Sequence, residues 1–309
     1  MNLKIYSVAF LILLGCMQAK CQNLLHLADS LQGGTQKGKP YQPSTWKDTR
    51  LINAQTTKTA APKSMIFRIV HRFGNMGTQD GGFHTLYGFD VASDIYFSFE
   101  FGITKNLEVG IGRSMQQELI DVMAKYRILT QKTDVMPISM ALYEDAGVTP
   151  ELNSILYANS SVSSGPFSDR LMYLSQLIID RRFCERLSVE LFTGLSHRNY
   201  IISKINPNNN AADQTNIPYV GAGGRLGITK HSALVFDYYY VISAYRANNS
   251  FYSNSFSVGY EVETGGHVFE INLSNATFIN ENNIIPNTTD SWFSGGFKLG
   301  FSISRAFNL

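Results

Sequence analysis

Apolar and polar residues alternate with a period of two through most of the chain, beginning near Met65. A β-strand places alternate side chains on opposite faces, whereas a helix would scatter these residues around its axis. The same alternation recurs over 91–103, 107–112, 187–196 and 252–262. In the last segment, the residues that share one face are Phe293, Gly295, Phe297, Leu299, Phe301, Ile303 and Phe307. The pattern therefore predicts a succession of strands, each with two chemically different faces.

The connections between these strands alternate in length. Tight turns are predicted at 104–106, 131–134, 184–186, 230–231 and 264–266, and the longer polar links at 74–86, 114–118, 146–168, 201–217, 243–250 and 276–291. Short turns at one rim and long loops at the other are typical of an outer-membrane barrel. Counting the segments gives about twelve strands, an even number, with roughly 9–11 residues in each to cross the membrane. We therefore predict an all-β fold, an antiparallel transmembrane up-and-down β-barrel.

The composition supports a membrane barrel over a soluble one. Charged residues make up only 16% of the chain, against about 25% in an average soluble domain. Aromatic residues crowd the apolar face and its ends, as an interfacial girdle requires. The mean hydropathy of −0.08 excludes a polytopic helical membrane protein, and the net charge of +2 argues against nucleic-acid binding.

The polar face carries charged residues near the middle of many strands. In a membrane barrel this face lines the lumen. Both signs are present, with no excess large enough to select strongly for one kind of ion, so a salt-bridged polar core and a narrow aqueous path both stay open. The predicted lumen-lining residues are Arg68, Asp94, Glu100, Glu108, Lys125, Arg127, Asp180, Glu190, Arg225, Asp237, Glu261, Glu270 and Lys298.

The first part of the chain differs from the barrel region. Residues 1–21 read as a signal peptide, with Lys4 in a short basic region and an apolar run too short to span a bilayer. A lipobox-like sequence leaves lipidation at Cys16 as an alternative. Residues 22–64 are interpreted as a periplasmic N-terminal arm, and residues 65–309 as the barrel. The sequence leaves open whether the arm plugs the lumen.

Three segments together resemble a known family. They are His71-Arg72-Phe73-Gly74, the stretch from Phe101 to Arg113 with its Gly-Ile-Thr-Lys-Asn-Leu-Glu-Val-Gly turn, and Gly265-Gly266-His267-Val268-Phe269-Glu270-Ile271. With a fourth segment, Leu86-Tyr87-Gly88-Phe89-Asp90, they are similar to an uncharacterised outer-membrane β-barrel family of Bacteroidetes. The resemblance covers most of 65–309. It implies a location in the bacterial outer membrane and a barrel architecture, with no catalytic residues to carry over.

No segment predicts an enzyme. Familiar nucleophile, metal and phosphate-binding motifs are missing from the sequence, and the glycines of 221–227 fall within a strand pattern. Ser196 and His197 are adjacent and would face opposite sides of a strand, so they cannot pair as nucleophile and base. Cys184 lies in a predicted turn with no recognisable catalytic context. We expect no catalytic residue, no cofactor and no metal site.

Two functions remain open from sequence. The first is a narrow pore or transporter for small polar solutes. The second is a non-conducting structural or partner-binding barrel whose outer loops, 146–168, 201–217 and 276–291, recognise another molecule. The expected partners are outer-membrane lipid and, during biogenesis, the barrel assembly machinery, with an unidentified protein or small solute left open and nucleic acid excluded.

Overall fold

Residues 46–158, 160, 162–202 and 204–309 are described by a computed structural model. Within these residues the chain forms twelve strands and two short helices, α1 (Asn153–Leu156) and α2 (Glu281–Asn287). The strands are β1 (Ser64–Asn75), β2 (Ala92–Gly102), β3 (Leu107–Ser114), β4 (Ile120–Leu129), β5 (Ser139–Val148), β6 (Leu171–Arg182), β7 (Leu187–Arg198), β8 (Asn216–Gly227), β9 (Ser232–Val241), β10 (Phe256–Thr264), β11 (His267–Ser274) and β12 (Lys298–Asn308).

The twelve strands close into one barrel. Each strand pairs antiparallel with the next, and β1 pairs with β12, where Ser64 lies opposite Asn308 and His71 opposite Phe301. Closure gives every strand a hydrogen-bonded neighbour on both sides, which a sheet needs in order to cross lipid. The predicted antiparallel barrel of about twelve strands is confirmed.

The predicted alternation becomes the inner and outer faces of the wall. In β2, Asp94, Ser98 and Glu100 are buried, whereas Phe97 and Phe99 between them are exposed. The exposed side chains point out of the barrel, and the buried ones point into its lumen. Polar residues inside and apolar residues outside are the arrangement of a membrane barrel, and the reverse of a soluble one.

The connections at one end of the barrel have nine residues or fewer, and those at the other end are longer except for the five-residue β3–β4 connection. The short ones leave β2, β4, β6, β8 and β10, and the β10–β11 connection is only Gly265 and Gly266. Both glycines have positive φ, 50° and 104°, which a two-residue hairpin turn of this type requires. The long connections, among them 149–170, 199–215 and 275–297, lie at the other end together with both helices.

The last strand begins later than the alternation indicates. Trp292–Ser294 form a 3-10 turn, and Gly295 follows it in the left-handed region at φ 78°. Phe293 is consequently fully exposed in a loop, and β12 starts only at Lys298. The predicted start of this strand is wrong because the loop residues happen to continue its alternation. Alternation alone cannot detect the turn at Gly295.

The chain before β1 takes an unexpected position. We interpreted residues 22–64 as a periplasmic arm, but the described part, 46–63, runs into the barrel and is largely buried there. The predicted signal peptide and the Cys16 alternative lie outside the described residues. Among those that are described, no helix is both long enough and apolar enough to cross a membrane.

Candidate functional site in the barrel lumen

The inner wall carries the charged residues that the alternation assigned to the lumen. Twelve of the thirteen side chains are buried, and Arg127, near the short-turn end of β4, is partly exposed. Arg72 and Asp121, which the alternation also places on the inner face, are buried with them. The structure adds Asp145, which the sequence analysis did not assign to either face.

Residues 46–60, here named the lumenal segment, occupy the middle of the barrel. Trp46 donates from Nε1 to Asp180 of β6 at 2.6 Å, and Thr49 donates from its hydroxyl to Glu100 of β2 at 2.7 Å. The backbone N–H of Asn53 donates to Asp237 of β9 at 2.6 Å. A short segment can contact strands on several sides of a closed barrel only from within it. The described part of the predicted arm therefore lies inside the lumen.

Arg68 of β1 anchors the start of this segment. Its guanidinium donates two hydrogen bonds of 2.8 Å to the carboxylate of Asp48 and one of 3.0 Å to Glu100. The hydroxyl of Ser304 also donates to Asp48, at 2.6 Å. Burial alone would raise the pKa of Asp48, but the charge and hydrogen bonds of Arg68 outweigh it and hold that pKa well below its usual range. Asp48 is therefore ionised and paired.

Lys125 of β4 holds the segment from the other side. Its ammonium lies 3.2 Å from Glu108 of β3 and donates to the backbone carbonyl of Thr49 at 3.0 Å. Glu108 in turn accepts a hydrogen bond of 2.6 Å from the backbone N–H of Ala60. The wall charges are thus satisfied partly by one another and partly by the backbone of the lumenal segment.

Gly223 of β8 marks where the lumenal segment comes closest to the wall. A Cβ atom at this position would lie 2.5 Å from a methyl of Leu51 and 2.7 Å from a carboxylate oxygen of Glu190. Glycine at this point in the strand therefore permits the close approach. This agrees with the expectation that the glycines of 221–227 belong to a strand.

A second segment closes the lumen from the long-loop end. Residues 275–290, here named the outer plug, belong to the β11–β12 connection and include α2. Glu281 accepts a hydrogen bond of 2.7 Å from the Tyr239 hydroxyl, and Asn282 donates to Asp145 at 2.6 Å. These contacts hold α2 inside the barrel mouth, where its apolar residues are buried.

The two segments meet inside the barrel. Arg50 of the lumenal segment donates to the backbone carbonyl of Ile279 in the outer plug at 3.0 Å. Arg72 of β1 bridges both, because it donates to the side-chain oxygen of Asn53 at 2.8 Å and to the carbonyl of Ala276 at 3.2 Å. The described residues therefore form a continuous set of contacts between the two ends of the lumen, and the lumen is occupied along its length.

Apolar packing fills one side of the interior. A buried cluster on β4 to β9 encloses Ala54 of the lumenal segment and Ile285 of α2. Its wall members are Met123, Tyr143, Leu174, Ile178, Phe192, Ile217, Tyr219 and Tyr239. A smaller buried cluster joins Trp46, Leu51 and Ile52 of the lumenal segment to Val235 of β9.

The inner wall has a surplus of carboxylates. Glu190 is fully buried, and neither of its oxygens accepts a hydrogen bond from any described residue. The surplus of buried carboxylates over buried cations differs from the balanced mixture of charges expected from sequence. Among the described strand residues, the buried carboxylates are Asp94, Glu100, Glu108, Asp121, Asp145, Asp180, Glu190, Asp237, Glu261 and Glu270, and the buried cations are Arg68, Arg72, Lys125, Arg225 and Lys298.

Ser196 and His197 take opposite faces of β7, as their adjacency requires. Ser196 is fully buried on the inner face. The ring nitrogens of His197 lie 2.7 Å from the side-chain oxygen of Asn216 and 2.8 Å from that of Asn199, and the ring stacks on Tyr173. The two side chains are therefore not brought together.

Closure of the sheet, an apolar outer wall and a polar interior define a membrane-spanning β-barrel with an occupied lumen. The sequence profile of the membrane bound beta barrel domain family (DUF5777) matches residues 46–307, so the chain belongs to this family. The matched region begins at Trp46, which places the lumenal segment inside the family's domain. No curated protein sequence matches the chain.

Solved structures to which the chain is similar include two porins and an outer membrane channel, all at low sequence identity. The NanC porin is 8% identical, with 79% of this chain and 100% of that chain covered and a TM-score of 0.48. The KdgM porin is 10% identical, covering 79% and 99%, with a TM-score of 0.44. An outer membrane channel from Pseudomonas putida F1 is 10% identical, covering 81% and 98%, with a TM-score of 0.42.

Proposed function

We propose that this protein is a gated barrel of the bacterial outer membrane that passes small polar solutes, and that the structure corresponds to its closed state. The location is supported by the apolar outer wall and by the short turns and long loops at opposite rims, both typical of outer-membrane barrels. The proposal contains no catalytic step.

The proposal rests on the contacts that hold the lumenal segment against the barrel wall. Most of the segment's anchors are polar contacts to wall charges, such as Asp48 to Arg68 and Asn53 to Asp237, beside a small apolar cluster of Trp46, Leu51 and Ile52 with Val235. Water can replace such polar partners, so each hydrogen bond to a charged group contributes only about 1.5–3 kcal/mol net. The wall closes through β1–β12 pairing without the segment. Withdrawing the segment would therefore leave the barrel intact with a charged, wettable inner surface.

The charge of that surface indicates which solutes would pass. Buried carboxylates outnumber buried cations two to one on the described strands. A lumen lined by one sign of charge raises the local concentration of the opposite sign. We therefore propose that the open state favours cations, or polar solutes with a cationic group, over anions.

A second candidate is a permanently closed barrel that binds a partner. The observation that favours it is the apolar cluster in which Ile285 and Ala54 pack against the wall, because apolar packing opposes withdrawal. Of the three loops expected to recognise a partner, 276–291 folds largely into the lumen. Recognition would then depend on 146–168 and 201–217.

Conductance in planar bilayers tests whether the lumen can conduct once it is emptied. We would compare the full chain with variants that lack residues 46–60, that have 276–290 replaced by a short Gly-Ser linker, or that combine both changes. Gating predicts a silent full chain and discrete, cation-selective steps from the combined variant. Heat-modifiable gel migration provides the control that each variant remains a barrel. A folded combined variant that stays silent would refute gating and favour the closed barrel.

A further inference from the structure

The outer wall of the barrel carries an apolar groove centred on β8. Its floor is Ala222, whose neighbours in the sheet are Leu191 of β7 and Tyr238 of β9. The small side chain lies between two large ones, and the groove has a volume of about 440 Å³. Thr193 also lines it, but its hydroxyl already donates to the backbone carbonyl of Tyr219 at 3.1 Å. Because the groove lies on the lipid-facing side of the wall, the molecules that can enter it are those of the membrane.

A polar cavity continues the groove toward the long-loop rim. Tyr240 lines both, and it is the ninth of the ten residues of β9, at the level where aromatic side chains meet the headgroups. Beyond it, the backbone N–H of Ile242 donates to the carbonyl of Pro218, and both residues line the cavity, which has a volume of about 700 Å³. Groove and cavity therefore form one continuous recess, here named the rim site, with an apolar part in the bilayer and a polar part at its surface.

The cavity of the rim site presents uncharged hydrogen-bonding groups. The side-chain amide of Asn248 and the hydroxyls of Ser253 and Tyr240 form no hydrogen bond with any residue that the structure describes. Gln214 accepts a hydrogen bond of 3.1 Å from the Ser243 hydroxyl, which leaves its amide nitrogen to donate. Amides and hydroxyls both donate and accept, so this lining suits the hydroxyl groups of a sugar.

The cavity offers no free charge to a ligand. Arg246 is the one cation among the described residues that line it, and none of them is acidic. Its guanidinium donates to Asp213 at 2.9 Å and to the backbone carbonyl of Pro286 at 2.8 Å, and it lies 4.8 Å from the centre of the Tyr252 ring. A charged headgroup would therefore find no free counter-charge in the cavity, whereas a neutral one needs none.

We propose that the rim site binds a glycolipid of the membrane, with its uncharged sugar headgroup in the cavity and a hydrocarbon chain in the groove. A phospholipid would place its phosphate beside a guanidinium that is already paired. A free sugar would leave the groove unfilled. Ile285 and Thr288 of the outer plug line the cavity, so the headgroup would contact the plug from the side. The site does not depend on whether the lumen conducts.

Native mass spectrometry with two detergents tests the ligand class. The purified full chain, in a detergent without a sugar headgroup, would be titrated with dodecyl maltoside or with dodecylphosphocholine, which share one chain and differ in headgroup. We expect one retained maltoside per barrel and at least fivefold lower retention of the phosphocholine. Maltose alone should neither be retained nor displace the maltoside. Equal retention of the two dodecyl compounds, or displacement by maltose, would overturn the proposal.

Substitutions locate the bound molecule. Ala222→Trp fills the groove and should lower retention of dodecyl maltoside at least fivefold. Ala124→Trp is the matched control, because Ala124 of β4 lines a separate depression of about 260 Å³, and it should leave retention unchanged. Heat-modifiable migration reports whether both variants fold. If Ala222→Trp does not fold, the loop variant Asn248→Ala/Ser253→Ala should lower retention at least threefold. Native-like retention in the folded groove or loop variant would contradict a rim site.

Discussion

Arg68 shows how strongly a single lumenal charge depends on its partners. Its guanidinium is almost completely buried between Asp48 and Glu100. Removing one partner of a buried pair leaves the others desolvated and uncompensated, at a cost of about 3–5 kcal/mol. Arg68→Leu should therefore lower the thermal midpoint of barrel unfolding on gels strongly. Arg305→Leu, at an exposed position facing outward, should change it little, and equal shifts for both would argue against the network.

Glu281 makes the docking of the outer plug depend on pH. Burial raises its pKa to about 7, despite the opposing effects of Arg50 and of the hydrogen bond from Tyr239. The docked carboxyl therefore binds a proton more tightly than the undocked one. Docking is strongest below the ordinary pKa of 4.5 and weakens as pH rises through 7, by up to tenfold per pH unit.

Proteolysis checks this dependence. Cleavage within 275–290 should accelerate between pH 5.5 and pH 8 in the native chain. Glu281→Gln should make the cleavage rate nearly independent of pH over that range, because the amide does not titrate. A variant that keeps the native pH dependence would show that another group controls the docking of the plug.

Single residues also show which buried positions the alternation of strand residues could predict and which it could not. The buried positions of Glu100, Asp180 and Glu270 follow from alternation alone. Glu144 and Asp145 are adjacent, so one of them had to face outward, and the parity of β5 places Asp145 inside. Asp48 lies before the alternation begins, and its partner Arg68 is twenty residues away. No periodic signal could have paired them.

At the scale of elements, strands could be predicted and lumenal segments could not. A strand repeats one local pattern, whereas the lumenal segment is defined by contacts with strands far away in sequence. Asn53, for example, binds Asp237 of β9. The outer plug has the same difficulty, because its polar composition is that of an ordinary surface loop. Burial of a polar segment by a polar lumen leaves no hydrophobic signature in the sequence.

Asp237 should control how firmly the lumenal segment is seated. It accepts three hydrogen bonds, two from Asn53 and one from the backbone of Ala54. Hydrogen bonds to a charged acceptor contribute about 1.5–3 kcal/mol each, so Asp237→Ala should loosen the segment.

The fluorescence of Trp46 reports the effect of this substitution. In a Trp292→Phe background, Trp46 is the remaining tryptophan, and it is buried. Asp237→Ala should raise its quenching by acrylamide severalfold. Asp169→Ala, in the β5–β6 loop, serves as the control and should have no effect. Unchanged quenching in both variants would mean that the segment is held chiefly by apolar contacts.

At the scale of the whole molecule, the two rims of the barrel differ. The chain enters at β1 and leaves at β12 on the rim that carries the short turns, and the lumenal segment approaches from that rim. The outer plug closes the opposite rim. If the short turns face the periplasm, as in other outer-membrane barrels, the lumenal segment can be withdrawn only from the periplasmic side. Any molecule that opens the lumen through this segment must then act from inside the cell envelope.

Cysteine labelling tests which rim of the barrel faces the outside of the cell. Cys184 is partly exposed in the short β6–β7 turn, whereas Ser164 is exposed in the long β5–β6 loop. A membrane-impermeant maleimide added to intact cells should label a Cys184→Ser/Ser164→Cys variant but not the native Cys184. Cys184 should react only after the outer membrane is permeabilised, with a Cys184→Ser variant as the background control. The reverse pattern would place the lumenal segment on the outside, where an external ligand rather than a periplasmic one would have to release it.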